Sequence, residues 1–220
     1  MRDFYCCYER GMFATEPAGA RDRLFFHDAI AFHEAGHAVC GFALGFGCSR
    51  IVMSEACGDG RQQASCAYFS ARRAQRRVYA DLHAGRYSTL LARHAAVCAA
   101  GPAAERRFYI ERALPVRTLN GAFDDHREIE TICQQIACID GRRRLAFRRM
   151  IWRVAQTMVM QPIVWRATEA LAAHLAELMP PQRDSEREAG SFAIMKGAAA
   201  RAIMRRAGIE PIDLSPSVKK

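Results

Sequence analysis

Ala31-Phe32-His33-Glu34-Ala35-Gly36-His37-Ala38 decides how this chain is read. The stretch contains His-Glu-x-x-His, the signature of zinc-dependent hydrolases. On a helix, His33 and His37 stand four positions apart, slightly more than one turn, so both imidazoles leave the same face. Two nitrogens on one face suit a tetrahedral metal. Glu34 lies about a third of a turn round from His33, placed to take a proton from a water rather than to ligate. Gly36 costs a helix about 1 kcal/mol relative to alanine, which a close approach by another element would explain. The bare pattern also occurs on ordinary helices, as two core histidines beside a surface glutamate. The flanking residues argue for a ligand set instead. Asp28 to Leu44 is almost wholly apolar, so the helix is expected to be buried, and buried polar groups need partners that a metal can supply.

The remaining composition is that of a globular protein. In 220 residues, half are hydrophobic and a quarter charged, enough for one sizeable core. The net charge of +9 and pI near 9.4 suit an anionic partner, or serve only solubility. No apolar run reaches the ~18 residues that span a bilayer. Met1 to Arg10 carries Asp3 and Glu9 and no apolar signal core, so a cytoplasmic location is expected. The 9 cysteines include no C-x-x-C pair and read as reduced thiols. A second metal site drawn from Cys57, Cys66, Cys133 or Cys138 is the less favoured reading.

The expected fold class is mostly α with a small β-hairpin or sheet: a helical bundle around the His-Glu-x-x-His helix. Residues 1–22 read as a flexible leader, 23–180 as the main domain, and 181–220 as a C-terminal helix and tail. Asp28 is the expected N-cap of the motif helix, and Gly45 and Gly47 its end. Cys48–Ser54 and Gln62–Ser70, joined through Gly58-Asp59-Gly60, read as a β-hairpin or two strands of a small sheet, and the second strand as an edge able to hold an extended peptide. Ala71–His83 is helical and basic through Arg72, Arg73, Arg76 and Arg77. Tyr87–Phe108 is helical, interrupted or kinked at Pro102; His94 within it reads as a core or surface histidine rather than a ligand. Glu111–Gly121 is a loop. From Ala122, the stripe Ile129, Ile132, Ile136, Ile139 marks a helix that Gly141 ends. Helices over Arg142–Met160, Ile163–Leu178 and Glu186–Arg206 follow, with Pro180-Pro181 a break.

A catalytic zinc site usually takes three protein ligands. The position six after His37 is Ala43, which excludes the pattern with a third histidine there. Glu55 and Asp59 have the spacing of a Glu-x-x-x-Asp helix, although Gly58 and Gly60 oppose a helix. A third option is an aspartate from a distant helix.

Here the chain resembles a family. Ala-Phe-His-Glu-Ala-Gly-His-Ala is similar to the active-site segment of the FtsH-type ATP-dependent zinc proteases. Ala99-Ala100-Gly101-Pro102-Ala103-Ala104-Glu105 resembles their Gly-Gly-Arg-Ala-Ala-Glu segment, with Pro102 in place of arginine. Asn120-Gly121-Ala122-Phe123-Asp124-Asp125 resembles their Thr-Gly-Ala-Ser-Asn-Asp, whose last residue is the third zinc ligand. The resemblance covers roughly Arg23 to Gly141 and implies a Zn²⁺ ion held by His33, His37 and Asp125, with Glu34 as the catalytic base. Asp124 and His126 stand beside Asp125 as departures from the family pattern and rival ligands. The family's ATPase module has no counterpart, since the chain lacks a G-x-x-x-x-G-K-[ST] loop.

The resulting expectation is a free-standing FtsH-like peptidase domain: a zinc metalloendopeptidase that hydrolyses peptides or unfolded proteins with metal-activated water. The family's six-membered rings imply a homo-oligomer, and an ATPase would act in trans. The alternative is a basic helical nucleic-acid-binding or regulatory protein, using Arg72–Arg77 and Arg142–Arg149 on phosphates around a structural or vestigial metal site. A third reading, a protease fold kept as a non-hydrolysing adaptor, finds no support while Glu34 is present.

Overall fold

The motif lies on α1 (Ala20–Ala43), a 24-residue helix at the centre of the core. The computed structural model describes residues 20–55, 62–67, 77–78, 80–81, 83–84, 88–114, 122–135, 140–178 and 192–212. Ala29, Ala31, Ala35, Ala38, Val39 and Cys40 of α1 are all buried, as a helix apolar on every side requires. Its start differs from expectation. Asp28 lies within the helix instead of capping it, because residues 20–27 contain no glycine or proline to stop the helix extending towards the N-terminus. Its end is a Schellman turn. Gly45 takes φ 88°, its N–H bonds the Phe42 carbonyl at 3.0 Å, and the Phe46 N–H bonds the Gly41 carbonyl at 2.8 Å.

After the sheet strands β1 (Arg50–Glu55) and β2 (Gln62–Ala67), the described residues include the helices α2 (Thr89–Glu111), α3 (Ala122–Gln135), α4 (Gly141–Met160) and α5 (Pro162–Leu178). The chain then forms β3 (Phe192–Lys196) and α6 (Gly197–Arg206). α1 packs mainly on α2 and α5, α4 covers the other side of α2, and α3 lies against α2 and α4. Phe32 of α1 anchors this bundle, with ring centroids 4.7 Å from Phe108 on α2 and 5.3 Å from Trp165 on α5. Rings at these separations add to the burial of their area. Arg107 ties the same end together: it stacks 4.2 Å over Trp165 and donates to the Val159 carbonyl of α4. Glu111 accepts from both Arg107 and the Trp165 indole.

The sheet is antiparallel in the order β2-β1-β3, with Ile51 opposite Cys66 on one side and Met195 on the other. The two strands expected within residues 48–70 are present and pair antiparallel, while their connection, with Gly58-Asp59-Gly60, lies outside the described residues. The helix expected over Glu186–Arg206 is corrected in its described part: 192–196 is a strand and Gly197–Arg206 is helical, while residues 186–191 lie outside the described residues. In Phe192-Ala-Ile-Met-Lys, Met195 is buried and Ile194 exposed, a two-residue alternation that completes β1's second edge.

Two further expectations are corrected. α2 runs without interruption through Pro102, which is buried in the helix middle. One backbone rung is lost there, and burial of the surrounding face outweighs it. Gly141 opens α4 instead of closing α3: Asp140 caps the helix, its Oδ1 accepting the Arg143 N–H at 2.9 Å. Ile129 and Ile132 are buried as the stripe requires, while Ile136 and Ile139 lie outside the described residues. So do Arg72, Arg73 and Arg76 of the basic segment; residues 77–78, 80–81 and 83 of that segment are helical. Among the described residues, no helix is long and apolar enough to cross a membrane.

Candidate metal centre

α1 presents His33 and His37 from one face, and both side chains are buried. Asp125, in the first turn of α3, reaches the same point. Its Oδ2 lies 3.0 Å from His33 Nε2 and 3.2 Å from His37 Nε2, and the two Nε2 atoms are 3.0 Å apart. Three donor atoms thus form a near-equilateral triangle. Ligands about 2.0–2.1 Å from a tetrahedral ion stand about 3.3–3.4 Å from one another, so the three residues would hold a metal with an opening of the triangle by a few tenths of an ångström.

The outer nitrogens are held by α2. His37 Nδ1 donates to the Val97 carbonyl at 2.8 Å, an acceptor that leaves no choice of tautomer. His33 Nδ1 donates to Glu105 Oε2 at 2.9 Å. With each Nδ1 carrying its hydrogen outward, each Nε2 is free to turn a lone pair inward once deprotonated. Glu105 closes the apolar stretch Ala95–Ala104 and is buried. Sequence reading placed it only as part of a resembling segment. The signal was available: a carboxylate inside an apolar helix needs a partner.

Space is set by two glycines. A Cβ on Gly101 would run into the His37 ring, and one on Gly36 would stand 2.5 Å from Ala104 Cβ and 2.8 Å from the Ala100 carbonyl oxygen. The close approach expected from Gly36 is therefore the crossing of α1 over α2.

The charges fit a cation site. Burial disfavours the imidazolium of His33, yet the hydrogen bonds to Asp125 and Glu105 outweigh it and raise its pKa to about 10. His37 is raised for the same reason, Asp125 overcoming burial. Burial alone would lift the Asp125 carboxyl; His37 and His33 instead hold it well below the usual carboxylate range.

Glu34 is also buried, and its Oε2 has no hydrogen-bond partner among the described residues. Burial pushes its carboxyl up, against the pull of His33 and His37. A carboxylate with raised proton affinity beside a cation site is suited to accepting a proton from water.

The rival ligands fare differently. His126 turns away and lies against Trp152 of α4, ring centroids 4.9 Å apart. Glu55 ends strand β1, so the helix needed by the Glu55–Asp59 spacing is absent at Glu55; Asp59 and the side chains of Glu55 and Asp124 lie outside the described residues. Cys133 is a buried free thiol, whereas Cys57, Cys138 and the side chain of Cys66 are likewise not described. His94 is buried against Glu128, as a core histidine. No protein-family model matches the chain, and no curated protein matches it.

Proposed function

We propose that this chain is a zinc-dependent endopeptidase acting on peptides or unfolded protein segments. The observation that carries the reading is the meeting of His33 Nε2, His37 Nε2 and Asp125 Oδ2 within 3.2 Å, with the buried carboxyl of neighbouring Glu34 electrostatically coupled to all three residues. Two imidazoles and one carboxylate are a donor set that suits zinc. A zinc ion held there supplies a Lewis acid for the attacking water and for the scissile carbonyl.

The chain's own residues do the rest. Glu34 takes a proton from the water as its oxygen adds to the carbonyl carbon, then delivers that proton to the departing amine nitrogen as the C–N bond breaks. Asp125 and the imidazoles leave the metal-loaded site with one positive charge, which favours the anionic tetrahedral transition state. Val97 and Glu105 keep the imidazoles in position throughout. The edge strand β2 offers backbone groups to an extended substrate. The resemblance of residues 31–38, 99–105 and 120–125 to the FtsH-type zinc proteases supports the same reading and suggests a ring-forming peptidase served by an ATPase in trans.

The test is zinc content and hydrolysis of an unfolded fluorescent substrate in wild type, Asp125→Ala and Glu34→Gln. The wild type is expected to hold about one zinc per chain and to cleave. Asp125→Ala should lose most of the metal, and Glu34→Gln should keep it while losing at least ~100-fold in turnover. A metal-loaded wild type without hydrolytic activity would overturn the enzymatic reading.

The second reading, a nucleic-acid-binding protein, rests on α4. That helix has no acidic residue and exposes Arg142, Arg143, Arg149 and Arg153. Binding to DNA or RNA that weakens steeply with salt, in a protein lacking peptidase activity, would favour it.

A further inference from the structure

The contacts of α2 with the metal centre come from a single stripe. Val97, Gly101 and Glu105 are spaced by four residues and meet, respectively, His37 Nδ1, the His37 ring and His33 Nδ1. Each step of four returns to nearly the same side of a helix. His94, three residues before Val97 and seven before Gly101, lies on the same side of the helix towards the N-terminus. Its Nε2 lies 3.4 Å from Glu128 Oε1 on α3, and Glu128 is three residues after Asp125, on the same side of that helix. The stripe therefore touches all three metal-ligating side chains or the element that carries them.

We propose that His94 is a positioning residue for the metal centre, its hydrogen bond to Glu128 setting the rotation of α3 that brings Asp125 to the two imidazoles. The inference rests on the metal-site reading above. α3 is seated by buried Ile129, Ile132 and Cys133, an apolar contact that tolerates small rotations about the helix axis; on its α4 side His126 lies on Trp152, and Glu130 pairs with Arg148 at 3.7 Å between half-exposed side chains. Apolar packing is non-directional, whereas a hydrogen bond has a preferred line. Asp125 sits in the first turn of α3, where its carboxylate reaches both imidazoles; a directional tie one turn further along fixes what the apolar stripe leaves free. His94 is buried and Glu128 is half-buried, so water competes weakly for the histidine side of the pair. His94 is not one of the three residues whose donor atoms meet, and in this role it acts through Asp125.

The experiment is a double-mutant cycle of His94→Ala and Glu128→Ala, with His94→Gln as the conservative variant, read by zinc affinity in chelator competition and by the visible spectrum of the cobalt(II) form. Wild type is expected to bind either ion with a tetrahedral cobalt spectrum. His94→Ala and Glu128→Ala should each weaken zinc by about 10–100-fold. The double variant should lose no more than either alone, and His94→Gln, whose amide can still donate to Glu128, should recover most of the affinity. Cobalt bands in the alanine variants should weaken and shift as the Asp125 ligand loosens. If His94→Ala fails to fold, Glu128→Ala carries the test alone, because the Glu128 side chain is 39% exposed. Wild-type zinc affinity and an unchanged cobalt spectrum in Glu128→Ala would overturn the positioning role and leave the metal site standing. A wild type that binds neither ion would overturn both.

Discussion

His33 and Glu105 stand 72 positions apart in the chain and share a 2.9 Å hydrogen bond in the core, with both side chains buried. This bond joins α1 to α2 and points the other nitrogen of His33 at Asp125. Removing the acceptor leaves a buried N–H without a partner and lets the ring turn. Glu105→Ala is expected to weaken zinc binding about 10–100-fold, and Glu105→Gln, which keeps an acceptor oxygen, considerably less. Chelator competition on the two variants measures the difference. Equal affinity in Glu105→Ala and wild type would show that the bond is not needed to aim the imidazole.

The two glycines at the helix crossing predict separate outcomes. In Gly101→Ala the new methyl occupies the space of the His37 ring, so the ring must move and the metal triangle opens. In Gly36→Ala the methyl meets Ala104 and the Ala100 carbonyl, which pushes the helices apart without touching a ligand directly. Both should destabilise the fold by about 1–3 kcal/mol in urea unfolding. Gly101→Ala should also lose zinc affinity out of proportion to its stability loss. Parallel losses in the two variants would argue against a specific clash with His37.

Protonation makes the metal-free fold sensitive to alkali. His33 has a pKa near 10 in the folded protein against an ordinary 6.5. Its contribution to stability is fully present below pH 6.5 and is lost as pH rises through about 10. Asp125, whose pKa is depressed, contributes in the opposite sense: its share is present above the ordinary carboxylate range and is lost in acid. The thermal midpoint in the presence of chelator should therefore fall between pH 7 and 10. Zinc must displace the His33 proton, so its affinity should rise over the same interval, with a proton released to buffer. Titration calorimetry in buffers of different ionisation enthalpy reads the proton directly. A heat independent of buffer would mean that no proton is displaced.

The end of α2 offers a stabilising change. Ala113 takes φ 51°, its N–H bonds the Ile110 carbonyl, and the Leu114 N–H bonds the Tyr109 carbonyl at 2.9 Å. This is a Schellman turn with alanine where glycine is favoured. Ala113→Gly relieves the left-handed strain of about 1 kcal/mol, partly offset by the greater freedom of glycine in the unfolded chain. A gain of about 0.5 kcal/mol in urea unfolding is expected, with zinc affinity unchanged. A loss of stability would mean that the Ala113 methyl makes a contact worth more than the strain.

Much of the site was legible because it is local. The spacing of His33 and His37 follows from helix periodicity, and Gly36 marked a helix crossing before any partner was known. The two paired strands were also legible, since two short runs of strand-forming residues close in sequence are local chemistry. Errors fell where a local signal had more than one outcome. Gly141 reads as a helix stop, but beside Asp140 it becomes the first residue of a capped helix. Pro102 weakens a helix locally, yet α2 is held by contacts along its whole buried face. Phe192–Lys196 carries too short a pattern to be distinguished from the start of α6 until β1 supplies the partner.

His33, Glu34, His37 and the burial of the helix that carries them follow from the residues alone, because the helix period and an apolar surround are properties of the segment itself. The meeting of Asp125 with the imidazoles, the seat of Glu105 and the grip of His94 on Glu128 required the folded chain. Those contacts join residues 34 to 92 positions apart. Their geometry is set by how closely α1, α2 and α3 pack, which a one-dimensional pattern does not encode.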